Sequence, residues 1–164
     1  MGQWTTPRRA AIVIFLVAFA TIAGAWIYQA NGYAPCELCL KERIPYYIGV
    51  PLAALVFGLA SRGAGLARAG LWALALLFVF SSAFGIYHTG VEHHLWAGPT
   101  ACTGDFHAAN SMAGFMQQLQ TVKVVRCDVV SVRVFGLSMA LWNAIISAGL
   151  AVLAVLAARQ PVEG

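Results

Sequence analysis

Pro35-Cys36-Glu37-Leu38-Cys39-Leu40-Lys41-Glu42-Arg43 stands between two long apolar runs and carries two of the chain's four cysteines at C-x-x-C spacing. It ends on the oppositely charged pair Glu42-Arg43, where a hydrophobic helix is about to begin. Upstream, no residue from Ala10 to Cys36 is charged. The core of that run, Ala10 to Gln29, is 20 residues, one bilayer crossing at about 1.5 Å per residue. A signal peptide cut after Ala23-Gly24-Ala25 is the competing reading, but its apolar region would run only about 7–15 residues. A dithiol at a membrane surface beside a fixed cation points to redox chemistry.

Downstream, the second span is expected over 44–60, with Pro45 in its first turn and Pro51 kinking its interior. A turn with Arg62 and Arg68 leads to a third span over 69–87, and the fourth is expected over 135–158. Two loops remain, 30–43 with the C-x-x-C and 88–134 with the other two cysteines. In the long loop, Met112, Phe115, Met116 and Leu119 fall at i, i+3, i+4 and i+7, predicting a short amphipathic helix over Ser111–Gln120. The expected architecture is therefore all-α: one integral membrane domain, a four-helix bundle with two extracytoplasmic cysteine-bearing loops.

Composition agrees. Of 164 residues, 60% are hydrophobic and 10% charged, with mean hydropathy +0.76. An ordinary soluble domain is about half apolar and a quarter charged, so the surplus here needs lipid to cover it. The net charge of +4 is not gathered into a basic, aromatic-interleaved patch, and no nucleic-acid partner is expected. Four spans put both termini on one side. Arg8, Arg9, Arg62, Arg68 and Arg159 lie on that side and Lys41, Arg43, Lys123, Arg126 and Arg133 on the other. The first set occupies far less chain and includes two arginines before the first helix, which places the termini in the cytoplasm.

Both cysteine loops then face an oxidising compartment, where disulfides persist. C-x-x-C spacing and nearby cations lower a thiolate pKa; Lys41 and Arg43 act that way, while Glu37 and Glu42 oppose them. Cys102 and Cys127 are 25 positions apart, and an exposed disulfide between them would be open to thiol attack. Structural staples, redox exchange and a thiolate metal site all fit this spacing. His88, Glu92, His93 and His94 cluster after the third span, yet neither H-E-x-x-H nor H-x-x-E-H is present, and no metal is expected. Arg43, four residues after Cys39, either snorkels to the interface or holds the carbonyl oxygen of a headgroup or cofactor.

With these residues in view, the chain resembles the disulfide bond formation protein B family (DsbB), membrane quinone reductases that re-oxidise the periplasmic dithiol oxidase DsbA. The resemblance covers nearly the whole chain. It is carried by Pro35-Cys36-Glu37-Leu38-Cys39-x-x-Glu42-Arg43, Gly98-Pro99-Thr100-Ala101-Cys102, Cys127-Asp128, Phe135-Gly136-Leu137-Ser138 and Trp142-Asn143. It implies a quinone-dependent protein-thiol:disulfide oxidoreductase of the bacterial inner membrane, with bound ubiquinone or menaquinone and a DsbA-like partner. Cys102 would be attacked by that partner and would pair with Cys127; Cys36 would exchange with Cys127; Cys39 would face the quinone as a thiolate. Arg43 would contact the quinone, with Glu92 and His93 near the same place. The alternatives are a paralogue serving a dedicated partner oxidase, a four-helix membrane protein with structural disulfides, and a thiolate metal site.

Overall fold

The computed structural model describes residues 6–99, 111–112, 126–130 and 132–160. Four long helices dominate it: α1 (Pro7–Ala30), α2 (Glu37–Leu59), α3 (Ala64–Glu92) and α4 (Met139–Ala158). A two-residue hairpin, β1 (Arg133–Val134) and β2 (Leu137–Ser138), precedes α4. Helix α1 packs on α2, α2 on α3 and α3 on α4, with α4 returning to touch α1. Helices α1, α3 and α4 are each long and apolar enough to cross a membrane. Helix α2 is 23 residues long, and its charged residues are confined to its first two turns.

The burial pattern is that of a membrane protein. Small residues face inward, among them Ala10, Ala11 and Ala18 of α1 and Ala151, Ala154 and Ala157 of α4. Bulky apolar residues such as Ile27, Leu76 and Phe80 point outward and are more than 60% exposed. In lipid there is little gain in hiding a leucine from its surroundings, so close backbone approach and interhelical hydrogen bonds hold the helices instead. Gly85 marks a close approach of backbone to backbone: a Cβ there would lie 2.9 Å from the Ala144 amide nitrogen and 3.1 Å from the Ala140 carbonyl oxygen. Both are backbone atoms of α4 and cannot step aside. Gly85→Ala is expected to cost about 1–3 kcal/mol, read as a lowered unfolding midpoint in detergent, whereas Gly58→Ala, with open space around it, leaves the midpoint unchanged.

Several boundaries differ from the sequence expectation. Helix α2 begins at Glu37, so the C-x-x-C opens a helix rather than lying in a loop that reaches Arg43. Cys36 is the N-cap: its Sγ accepts from the Cys39 amide at 3.2 Å and its carbonyl accepts from the Leu40 amide at 3.1 Å. Pro45 is consequently interior, like Pro51. The carbonyls of Lys41 and Tyr47 lose their i+4 donors, and both residues are exposed. Helix α3 runs one turn past Tyr87, to Glu92. Helix α4 starts at Met139 rather than Phe135, because Phe135 and Gly136 adopt φ of 51° and 84°, the two left-handed residues of a tight hairpin turn. Ser138 then caps α4 by accepting from the Leu141 amide, and the Trp142 indole donates to the Val134 carbonyl, tying the hairpin to the helix. The amphipathic helix expected over Ser111–Gln120 lies outside the described residues, apart from Ser111 and Met112.

Candidate active site

The early start of α2 decides the geometry of the dithiol. Cys36 and Cys39 are both reduced, and their Sγ atoms stand 2.8 Å apart, so forming a bond of about 2.05 Å needs less than an ångström of movement. Cys36 is 4% exposed and shares a buried cluster with Leu38, Val91 and Cys127. Cys39 packs against the same cluster but is only partly buried. Cys127 is disulfide-bonded. Beside it Arg126 and Asp128 form a two-point ion pair, Nε to Oδ1 at 2.9 Å, which braces the turn. Cys102 lies outside the described residues.

His88 enters from α3. Its Nε2 is 3.7 Å from Cys36 Sγ and its Nδ1 is 2.9 Å from Glu42 Oε1. His88 is 2% exposed and Glu42 8%. A carboxylate only accepts, so Nδ1 carries a proton and donates to Glu42, and Nε2 is left to exchange a proton with sulfur. Cys36, His88 and Glu42 thus form a buried thiol–imidazole–carboxylate line.

Cys36 is the sulfur on which the donors of the site converge. Its thiol is lowered to about 5, chiefly by the hydrogen bond from the Cys39 thiol, with further help from His88 and the Cys39 amide against the opposing effect of burial. The helix N-terminus adds its partial positive charge. The backbone amide of Cys39 and the imidazole of His88 both point at Cys36 Sγ.

Beside the dithiol is a cavity of about 470 Å³ with mostly apolar walls. Cys36, Cys39, Glu42, Arg43, His88 and Glu92 contribute to one end. Arg43 bridges α2 to α1, donating to Gln29 Oε1 at 2.7 Å and to the Ala25 carbonyl at 3.4 Å. A guanidinium has five N–H donors, so these bonds leave others for a ligand. Further along, the Tyr46 hydroxyl donates to Asn143 Oδ1 at 2.7 Å and meets Ser147 Oγ at 2.9 Å, and Ser147 donates to Ser81. This network joins α2, α3 and α4 and fixes the Asn143 amide. Two buried polar atoms among the described residues have no partner, Asn143 Nδ2 and Glu92 Oε2, and both residues line the cavity.

His93 does not share this position. It caps α3, its amide donating to the Thr89 carbonyl, and its side chain is exposed and off the cavity wall. The inward histidine is His88. The sequence named His88 only as part of a metal-type cluster, with the third span ended at Tyr87. With the helix run to Glu92, Ser81, Gly85, His88 and Glu92 recur at helical spacing on one face. Glu42 was likewise read only as an opposing charge. On a helix that starts at Glu37 it lies one turn below the buried Leu38, on the inward face.

Cys36, Cys39 and His88 also offer three atoms within 4.8 Å that a metal could use. Two thiolates on tetrahedral zinc, with bonds of about 2.3 Å, stand roughly 3.8 Å apart. The sulfurs here are 2.8 Å apart, closer to a disulfide than to a ligand pair.

The family model for disulfide bond formation protein DsbB matches residues 7–157, most of the chain. This chain belongs to the DsbB family. No curated protein and no solved structure matches it. As a DsbB-family member it is a membrane protein with thiol:disulfide oxidoreductase activity, concerned with disulfide formation.

Proposed function

We propose that this DsbB protein makes disulfides de novo, by re-oxidising a DsbA-like periplasmic thiol oxidase and passing the electrons to a membrane quinone, ubiquinone or menaquinone. The single observation that carries the reading is the apolar cavity with Cys39 and Arg43 on its wall, adjoining a buried cluster that holds both Cys36 and Cys127. Electrons would run from the partner's dithiol to the Cys102–Cys127 pair, then to Cys36–Cys39, then to the quinone.

The residues suit a quinone. The walls accept an apolar ring and tail, the guanidinium of Arg43 suits one carbonyl oxygen, and the unpartnered Asn143 Nδ2 is a buried donor one turn deeper. A buried donor without a partner is costly, about 1–3 kcal/mol, and a ligand carbonyl would relieve it. The quinone would supply the oxidising potential, which a strongly oxidising partner demands. This chain's residues do the rest. Arg43 directs positive charge at the place where negative charge develops. The apolar walls exclude water. The shared cluster keeps Cys36 within reach of Cys127. We place this protein in the bacterial inner membrane with α2 crossing as well, both termini cytoplasmic and the cysteine-bearing ends of the helices periplasmic.

Organic extraction of the purified protein, with identification of what is released, tests the reading. About one ubiquinone or menaquinone per chain, and quinone-dependent oxidation of a reduced DsbA-type protein, are expected. A preparation that neither contains nor reduces a quinone while retaining thiol exchange would overturn it.

A further inference from the structure

We propose that Asn143 makes the cavity selective for the oxidised form of its ligand: its amide, fixed in orientation by Tyr46, donates to a quinone carbonyl oxygen and leaves a quinol hydroxyl without an acceptor. The inference rests on the quinone reading above and adds to it how the spent ligand is released.

Asn143 is an amide within α4, a helix long and apolar enough to cross a membrane. It is 8% exposed and forms part of the cavity wall. A polar side chain at such a place is costly unless it is satisfied or used. The two ends of this amide are treated unequally. Oδ1 accepts from the Tyr46 hydroxyl at 2.7 Å and from Ser147 Oγ, more distantly, at 3.4 Å. Nδ2 has no partner. A network that only held the helices together would not need it, because Tyr46, Ser147 and Ser81 already join α2, α4 and α3 through contacts of 2.9 Å.

The orientation of the amide follows from its neighbours. The Tyr46 hydroxyl is buried and carries one proton, and its shortest contact is Asn143 Oδ1. Turned over, the amide would offer the cavity an acceptor instead of a donor. Tyr46 is thus the positioning residue, and Asn143 the one that meets the ligand.

The result is a one-sided site. A quinone carbonyl only accepts, which matches Nδ2. Two electrons and two protons turn the quinone into a quinol, whose hydroxyl protons need acceptors of their own. Oδ1 is occupied. The other α4 side chains on the wall, Met139, Ala140, Trp142 and Ile146, bring no oxygen. The Trp142 indole is a donor and is already bound to the Val134 carbonyl. A buried hydroxyl proton left without an acceptor weakens binding, so the quinol is held less tightly than the quinone that replaces it.

Equilibrium binding tests this. The probes are a short-chain ubiquinone and a short-chain menaquinone, each with its quinol. They are titrated into the full-length oxidised protein, freed of quinone, which has no dithiol to consume them. Quenching of tryptophan fluorescence follows binding, with Trp142 on the cavity wall. The wild type is expected to bind its quinone about tenfold more tightly than the matching quinol, the worth of one hydrogen bond. Asn143→Leu should weaken quinone binding about three- to tenfold and leave quinol binding unchanged, bringing the ratio near one. Tyr46→Phe frees the amide to turn, so quinol binding should strengthen and the ratio should fall as well. The infrared carbonyl band of the bound quinone, lowered in frequency by the Asn143 donor, should move back up in Asn143→Leu. A network with a structural role alone would lower the unfolding midpoint of both variants and shift both affinities alike, with the ratio kept. That outcome, or a wild type that prefers the quinol, overturns the proposal. If Asn143→Leu fails to fold, Tyr46→Phe decides alone. A wild type that binds none of the four probes removes the quinone reading together with this inference. One that binds quinone and quinol equally removes this inference alone.

Discussion

Cys39→Ser is expected to stop turnover after a single exchange with the partner, with a steady-state rate lower by on the order of 10³-fold or more, as for loss of an essential nucleophile. Cys36 remains in this variant, buried beside Cys127 and held by His88. Without Cys39 it has no sulfur to close upon, so electrons that arrive from the second loop cannot leave. Rapid-quench sampling should show one equivalent of oxidised partner per chain and then a plateau. Cys102→Ser should do the converse, leaving the Cys36–Cys39 pair able to react with quinone and unable to receive electrons from the partner. Equal single-turnover losses in both variants would show that the two cysteine pairs do not act as separate relays.

Arg43→Ala is expected to raise the apparent KM for quinone and to lower kcat, together about ten- to a hundredfold. The figure follows from a charge-assisted hydrogen bond of about 1.5–3 kcal/mol. Part of the loss belongs in kcat because a cation at a carbonyl oxygen matters most when negative charge has developed there. Arg43→Lys should recover some of it. The ammonium keeps the charge but cannot hold Gln29 and the Ala25 carbonyl as the guanidinium does while also facing the cavity. An arginine that merely snorkelled would give a lysine variant as good as the wild type and an unchanged quinone dependence. Steady-state kinetics across quinone concentrations at matched protein levels separates the two.

Much of the protein is legible in the chain itself. Long uncharged runs and a charged fraction of 10% specify membrane helices, because each helix satisfies its own backbone hydrogen bonds and its side chains need only be apolar. The dithiol and Arg43 are equally plain. C-x-x-C spacing brings two sulfurs together through local geometry alone, and Arg43 lies one helical turn from Cys39.

The packing of α2, α3 and α4 on one another decided the rest. His88 and Cys36 are 52 positions apart, and nothing local to either links them. Glu42 reads as a liability to thiolate formation until His88 stands between it and the sulfur. His93 sits one residue beyond Glu92 in sequence, but it follows the last residue of the helix, and a helix places neighbouring residues on different faces. Asn143 became a candidate donor only when Tyr46 of α2 took its oxygen. For His88, Glu42 and Asn143 the deciding quantity is the distance between side chains on different helices. That distance follows from how closely α3 approaches its neighbours, set in part by Gly85 against α4.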